Sequence, residues 1–137
     1  MGFLLRLAIR VLVLIAGWTV YNVLVNWIWT EDQQDANIGA GLLAFGLVLV
    51  VAVAGGFIDG RRLSLGETVM TWLLAGAVLG VFAALFSAFQ DGSIDWSVFR
   101  SDVAGMVPIF AFLVAIPAMI GGIFGSASSG HTTADSH

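Results

Sequence analysis

Charged residues divide the chain into four long uncharged stretches, at positions 11–30, 36–58, 68–90 and 103–134. Each contains about 20 predominantly apolar residues, which at 1.5 Å per residue cross the roughly 30 Å hydrocarbon core of a bilayer. Runs such as 47–53 do not alternate between apolar and polar side chains, as the strands of a membrane β-barrel would. The pattern therefore predicts an all-α membrane protein with four transmembrane helices and short loops.

We expect these helices at about 8–29, 38–58, 66–89 and 103–124. They make one four-helix transmembrane domain, residues 1–125, followed by a flexible polar cytoplasmic tail at 126–137. Ser64 and Glu67 have the spacing of a capping box at the start of the third helix. Asn37 and Ser101 are candidate caps of the second and fourth helices. We expect Gly60 to end the second helix in a left-handed conformation, and the segment 93–100 to form a short interfacial helix.

Arginine positions predict the orientation. Arg6 and Arg10 precede the first span, and Arg61 and Arg62 lie between the second and third, so these four share one side of the membrane. The positive-inside rule places that side in the cytoplasm, with both termini inside (N-in/C-in). The predicted localisation is the plasma (inner) membrane, as a multi-pass protein.

Composition excludes several classes of protein. Charged residues make up 10% of the chain and hydrophobic residues 59%, whereas a soluble domain has about 25% charged residues. The net charge of −4 argues against nucleic-acid binding. Cysteine is absent, and both histidines, His131 and His137, lie in the tail, so we predict no cofactor and no metal site. Five Arg and no Lys are compatible with a prokaryotic source.

Ionisable residues inside a bilayer usually mark functional sites. None occurs at 11–30, 36–58, 68–90 or 103–125. A proton-coupled carrier needs a membrane carboxylate, so a self-contained carrier of that kind is disfavoured. No catalytic motif occurs, so we predict no catalytic residue and no self-contained enzyme activity.

Polar residues in the first span recur on one helical face. Trp18, Asn22, Asn26 and Trp29 follow i, i+4, i+8 and i+11 spacing. An amide in hydrocarbon needs a partner, so this face should contact protein or a ligand. Interhelical hydrogen bonding is the favoured interpretation. A ligand site for a headgroup, a quinone or a peptide is the alternative.

Small residues recur at four-residue spacing in the other three spans, a pattern that lets helix backbones approach closely. Packing inside the bundle is the favoured interpretation, and docking on another subunit is the alternative. The candidate helix-packing residues are Gly41, Ala44, Ala52, Gly55, Gly76, Gly80, Ala84, Ala88, Gly121 and Gly125.

These features favour a non-catalytic accessory, assembly or stabilising subunit of a larger integral membrane complex. The alternative is a homo-oligomeric channel or carrier for a neutral or lipid-like solute that uses the Asn22 and Asn26 face. A small membrane-embedded enzyme or enzyme fragment is the third hypothesis. The expected partners are membrane lipids and either a larger membrane protein or further copies of the chain, with no nucleic acid.

Overall fold

Four helices dominate the computed structural model, which describes residues 2–28, 34–90 and 93–129, without the side chains at 22, 26, 28, 34–41 and 90. The helices are α1 (Phe3–Ile28), α2 (Gln34–Gly60), α3 (Leu65–Ala88) and α4 (Trp96–Ser129). Each contains a stretch long and apolar enough to cross a membrane, which confirms the predicted all-helical class and the four candidate spans. Two short strands, β1 (Phe89–Gln90) and β2 (Ser93–Ile94), pair antiparallel between α3 and α4.

The start of α3 has the predicted capping box. The Ser64 hydroxyl accepts a hydrogen bond from the Glu67 backbone N–H at 3.3 Å. In return, the Glu67 carboxylate accepts one from the Ser64 backbone N–H at 3.2 Å. Two backbone donors that a helix start leaves unsatisfied are paired in this way, so Glu67 has a structural role.

The start of α4 lies at Trp96, several residues before the predicted 103, and its cap is Asp95 rather than Ser101. One Asp95 carboxylate oxygen accepts hydrogen bonds from the Ser97 hydroxyl at 2.6 Å, the Ser97 N–H at 2.9 Å and the Val98 N–H at 3.3 Å. These hydrogen bonds, the Ser97 hydroxyl foremost, lower the pKa of Asp95 below its usual 3.8 because they stabilise the charged form. The segment predicted as a separate interfacial helix is therefore β2 and the first turns of α4.

The other end of α4 extends to Ser129, so the first residues of the predicted tail are helical. The helix runs through both Pro108 and Pro117. Asn37 lies within α2, which begins at Gln34, so it is not the residue that precedes that helix.

Helices α2 and α4 run parallel with their backbones in contact. A Cβ added to Gly56 would lie 2.6 Å from the Ala118 Cα, and one added to Gly60 would lie 2.6 Å from the Gly122 Cα. Real Cβ atoms do not approach so closely, so only glycine fits at either position. Gly60 is helical and does not have the left-handed backbone expected from the sequence: it permits this contact instead.

Helix α3 packs antiparallel on another side of α4 by the same device. A Cβ on Gly76 would lie 2.9 Å from the Ala111 Cα, and one on Gly80 would lie 2.8 Å from the Val107 Cα. Ala84 and Ala88 continue this buried line along α3. Helix α4 therefore contacts α2 on one side and α3 on another, and the three form the closely packed part of the bundle.

Helix α1 is the least enclosed of the four. In its apolar stretch 6% of the residues are buried, against 39% in α3. Among the described residues of α1, Leu14 is the one that is buried. It belongs to a core that includes Trp72, Leu79 and Val114. Large apolar side chains cover much of the outside of the described helices, as lipid contact would require.

The close α3–α4 contact predicts unequal costs on the two faces of α3. Gly80→Leu would force side-chain atoms into the backbone of α4, whereas Phe86 is 66% exposed on the outer face. Overpacking typically costs about 1–3 kcal/mol. We expect Gly80→Leu to lower the free energy of unfolding in mixed micelles by at least that amount, and by more than the control Phe86→Leu. Equal losses would contradict the assigned packing face.

Candidate functional site

Asp59 is a buried carboxylate in the last turn of α2 and is 4% exposed. Its side chain meets α1 and α3, and the cluster it forms contains Arg10, Asp59 and Trp72. We call these three residues the Asp59 cluster. Among the described residues, Asp59 is the buried ionisable group of the molecule.

Arg10 of α1 binds both oxygens of the carboxylate. Its Nε donates to Asp59 Oδ2 at 3.0 Å, and its Nη2 forms an ion pair with Oδ1. In this bidentate geometry the planar guanidinium matches the planar carboxylate. Bidentate pairs of this kind are among the strong charge-assisted hydrogen bonds. The pair neutralises both charges and ties the N-terminal half of α1 to the end of α2.

Trp72 of α3 completes the cluster. Its indole N–H donates to Asp59 Oδ2 at 2.9 Å, and its ring centroid lies 5.7 Å from the Arg10 guanidinium carbon. The ring is 1% exposed and lies against Gly55, where any added Cβ would collide with it. Gly55 therefore leaves space on α2 for the Trp72 indole. That indole hydrogen-bonds to Asp59, which lies four residues after Gly55.

Both charged groups lie inside helices that are long enough to span. Arg10 belongs to the apolar stretch Phe3–Val25, and Asp59 belongs to Leu42–Gly60. A charge in hydrocarbon is costly unless it is paired and hydrogen-bonded. The Asp59 carboxylate accepts three hydrogen bonds within the cluster, so the arrangement satisfies this condition. Its chemistry is that of a closed, neutral link between three helices.

The Asp59 cluster was not predicted from the sequence, because Arg10 and Asp59 lie just outside the uncharged stretches 11–30 and 36–58. They lie 49 positions apart and belong to different helices. One signal pointed to them: both fall at the same predicted side of the membrane, Arg10 before the first span and Asp59 after the second. A search for opposite charges at matching depth on neighbouring spans would have paired them.

The predicted polar face of α1 is described only in part. Trp18 is half-buried and faces α2 across a narrow gap lined by Val13, Ala44 and Leu47. The side chains of Asn22 and Asn26, and the whole of Trp29, lie outside the described residues. A ligand site on this face therefore stays a prediction.

Most of the predicted packing residues lie between helices. Ala52 is fully buried, and Gly55 contacts Trp72. Gly121 and Gly125 pack on the α2 backbone around Phe57, while Gly76, Gly80, Ala84 and Ala88 lie on the buried side of α3. The packing of Gly41 lies outside the described residues. Gly56 and Gly60 also contact the α4 backbone, although neither is among the predicted packing residues.

Two further polar atoms are buried near the cluster without a hydrogen bond among the described residues. They are the hydroxyl oxygen of Thr68, a residue with no exposed surface, and the Nε of Arg6. Thr68 lies one turn before Trp72 on α3, and Arg6 lies one turn before Arg10 on α1. The polar surroundings of Asp59 therefore continue towards the end of the bundle.

Comparisons of the chain with protein-family models, with curated proteins and with solved structures found no match.

The Asp59 cluster predicts a large penalty for removing one partner. Arg10→Leu leaves a buried carboxylate with the Trp72 indole as its remaining donor in the cluster, and breaking a buried pair typically costs about 3–5 kcal/mol. Arg100→Leu, at an exposed position outside the cluster, should change the free energy of unfolding by about 0.5 kcal/mol or less. Both are measured by denaturant unfolding in mixed micelles.

The double variant Arg10→Leu/Asp59→Leu provides the internal check on this prediction. It removes both charges together, so its cost should be smaller than the sum of the two single costs. Additive costs would show that the two side chains do not act as a pair.

Proposed function

We propose that the chain is a non-catalytic accessory, assembly or stabilising subunit of a larger integral membrane complex. The observation that carries this proposal is the closure of the bundle. Where α4 meets α2 and α3, glycines bring the backbones into direct contact, which leaves no room for a polar conduit among the described residues of those three helices. The buried charges are paired with each other in the Asp59 cluster.

A transporter or an enzyme needs groups that change their charge, ligand or position during a cycle. Within the described parts of α2, α3 and α4, the charged side chains lie at or near the helix ends. Asp59 is engaged by three hydrogen bonds from two other helices, an arrangement that favours a fixed structural link over a site that opens during turnover. These features support an activity carried by a partner.

A partner would find its contact surface on the outside of the bundle. Gly46 of α2 and Gly105 of α4 each have open space where a Cβ would lie. Small residues on a lipid-facing surface let a neighbouring helix approach closely. We therefore place the proposed partner contact on these open glycines and not on Gly76 or Gly80, which face α4.

Copurification tests the proposal. A tagged chain at native expression level should bring down at least one larger membrane protein in mild detergent, in a fixed ratio. Leucine replacements at Gly46 and Gly105, made singly, should include one that lowers this recovery while the free energy of unfolding stays unchanged. Phe86→Leu on an exposed face serves as the control.

Three results would favour a function other than that of a subunit. A chain that runs as a partner-free homo-oligomer after gentle extraction would overturn the subunit proposal. Solute flux into liposomes by the purified chain, lost on replacing Asn22 and Asn26 by leucine, would favour the channel or carrier instead. Turnover by the purified chain alone would favour the enzyme hypothesis.

We further propose that the chain lies in the plasma (inner) membrane with both termini in the cytoplasm. Arg6, Arg10, Arg61 and Arg62 lie at one end of the bundle, which supports this orientation under the positive-inside rule. In intact cells, an impermeant thiol reagent should label Ser93→Cys and leave Leu63→Cys unlabelled. Native cysteines are absent, so the background is low. Labelling at 63 but not at 93 would reverse the orientation.

A further inference from the structure

An apolar groove runs along the outside of the bundle between α2 and α4. Its volume is about 620 Å³, and its lining includes Val50, Val53, Ala54 and Phe57 from α2 with Gly121 and Phe124 from α4. Two of the lining residues, Ala54 and Gly121, are small, and Phe57 and Phe124 are large. It opens to the surroundings of the bundle, where lipid would lie if the helices span the membrane.

The groove follows the direction of α2 for about 10 Å, from Val50 to Phe57, at 1.5 Å per residue. Helices α2 and α4 are parallel here, so the groove is aligned with the helices and with the acyl chains of a bilayer that they cross. Its lining residues carry no charged side chain. A hydrocarbon chain fits these properties of shape, direction and polarity.

A cationic group lies at one end of the groove. The guanidinium carbon of Arg61 lies 6.0 Å from the centroid of the Phe57 ring, and Phe57 is itself part of the groove lining. Arg61 and Arg62 are exposed, and neither forms an ion pair with any residue that the structure describes. Arg10, by contrast, is neutralised by Asp59. Arg6, the other arginine at this end, lies on α1, so the exposed positive charge beside the groove is that of the turn directly after α2.

We propose that the α2–α4 groove and Arg61 together bind one anionic phospholipid, with an acyl chain in the groove and the headgroup phosphate on the Arg61 guanidinium. Phe57 joins the two parts of the site, because it lines the groove and its ring centroid lies 6.0 Å from the Arg61 guanidinium carbon. Charge complementarity selects an anionic headgroup, since basic residues at a membrane surface attract anionic lipids. The guanidinium suits a phosphate because its donors can bind two oxygens together.

Native mass spectrometry of the purified full chain, with equal amounts of phosphatidylglycerol and phosphatidylcholine, tests the headgroup part. We expect phosphatidylglycerol to be retained about five-fold over phosphatidylcholine, the equivalent of one basic residue at a membrane surface. Arg61→Gln, which leaves the adjacent Arg62 in place, should lower this preference. Arg100→Gln, which removes an exposed arginine outside the groove, should keep it.

A second pair of variants tests whether an acyl chain occupies the groove. Ala54→Phe fills the groove from an exposed position and should lower the number of bound lipids by one, whichever headgroup is supplied. Ala104→Phe adds the same bulk at an exposed position on α4 that the groove lining does not include, and it should leave the number unchanged. Circular dichroism and thermal unfolding, matched to the wild type, establish that each variant is folded.

Three results would overturn the proposal. The first is equal retention of the two lipids by the wild type, which would mean non-selective lipid contact. The second is an unchanged preference in Arg61→Gln, and the third is an unchanged lipid number in Ala54→Phe. None of these depends on a partner protein, so this test and the copurification test succeed or fail separately.

Discussion

The close approach of α4 to its two neighbours is the constraint on which the structure depends. In a membrane, lipid tails are as apolar as the side chains of a helix, so helices associate through contact area and hydrogen bonds and not through exclusion of water. Gly56 and Gly60 on one side, and Gly76 and Gly80 on the other, let backbone atoms meet where any side chain would collide. The parallel pair α2–α4 and the antiparallel pair α3–α4 are thus both stabilised by glycines that allow direct backbone contact.

Helix α1 cannot be held in that way, because little of its surface is buried. Its attachment combines the core contacts of Leu14 with the Asp59 cluster, where one carboxylate accepts hydrogen bonds from α1 and α3. The cluster also explains two features that packing alone does not. Trp72 is buried beside a glycine because its indole N–H must reach Asp59, and Gly55 has to be small because the indole lies on it. The same residues therefore provide the hydrogen bonds of the buried carboxylate and the close packing of α2 against α3.

Length and apolarity were sufficient to predict the four helices, and the spacing of Ser64 and Glu67 was sufficient to predict the capping box at the start of α3. Both features depend on residues that are close in sequence. The pairing of Arg10 with Asp59 depends on how two helices are placed side by side, which no local pattern contains. The same limit applies to α2, where Gly55 and Gly56 are adjacent but face different helices, Trp72 on α3 and Ala118 on α4. At Gly60 the local rule for helix ends gave the wrong conformation, because contact with Gly122 keeps the residue helical.

In a bundle packed in this way, the residues that remain available to bind a partner lie on its surface. The glycines of the interior are already used for contact, and the cluster's charges are already paired, so neither is free to bind anything else without loss of stability. The open glycines at 46 and 105 and the exposed groove residues Ala54 and Phe124 bear no such cost, because they lie on the outside of the bundle. Surfaces of this kind can acquire or lose a binding partner while the fold is maintained. This separation of a fixed interior from an adaptable exterior is what a subunit that works through its neighbours would need, whether those neighbours are proteins or lipids.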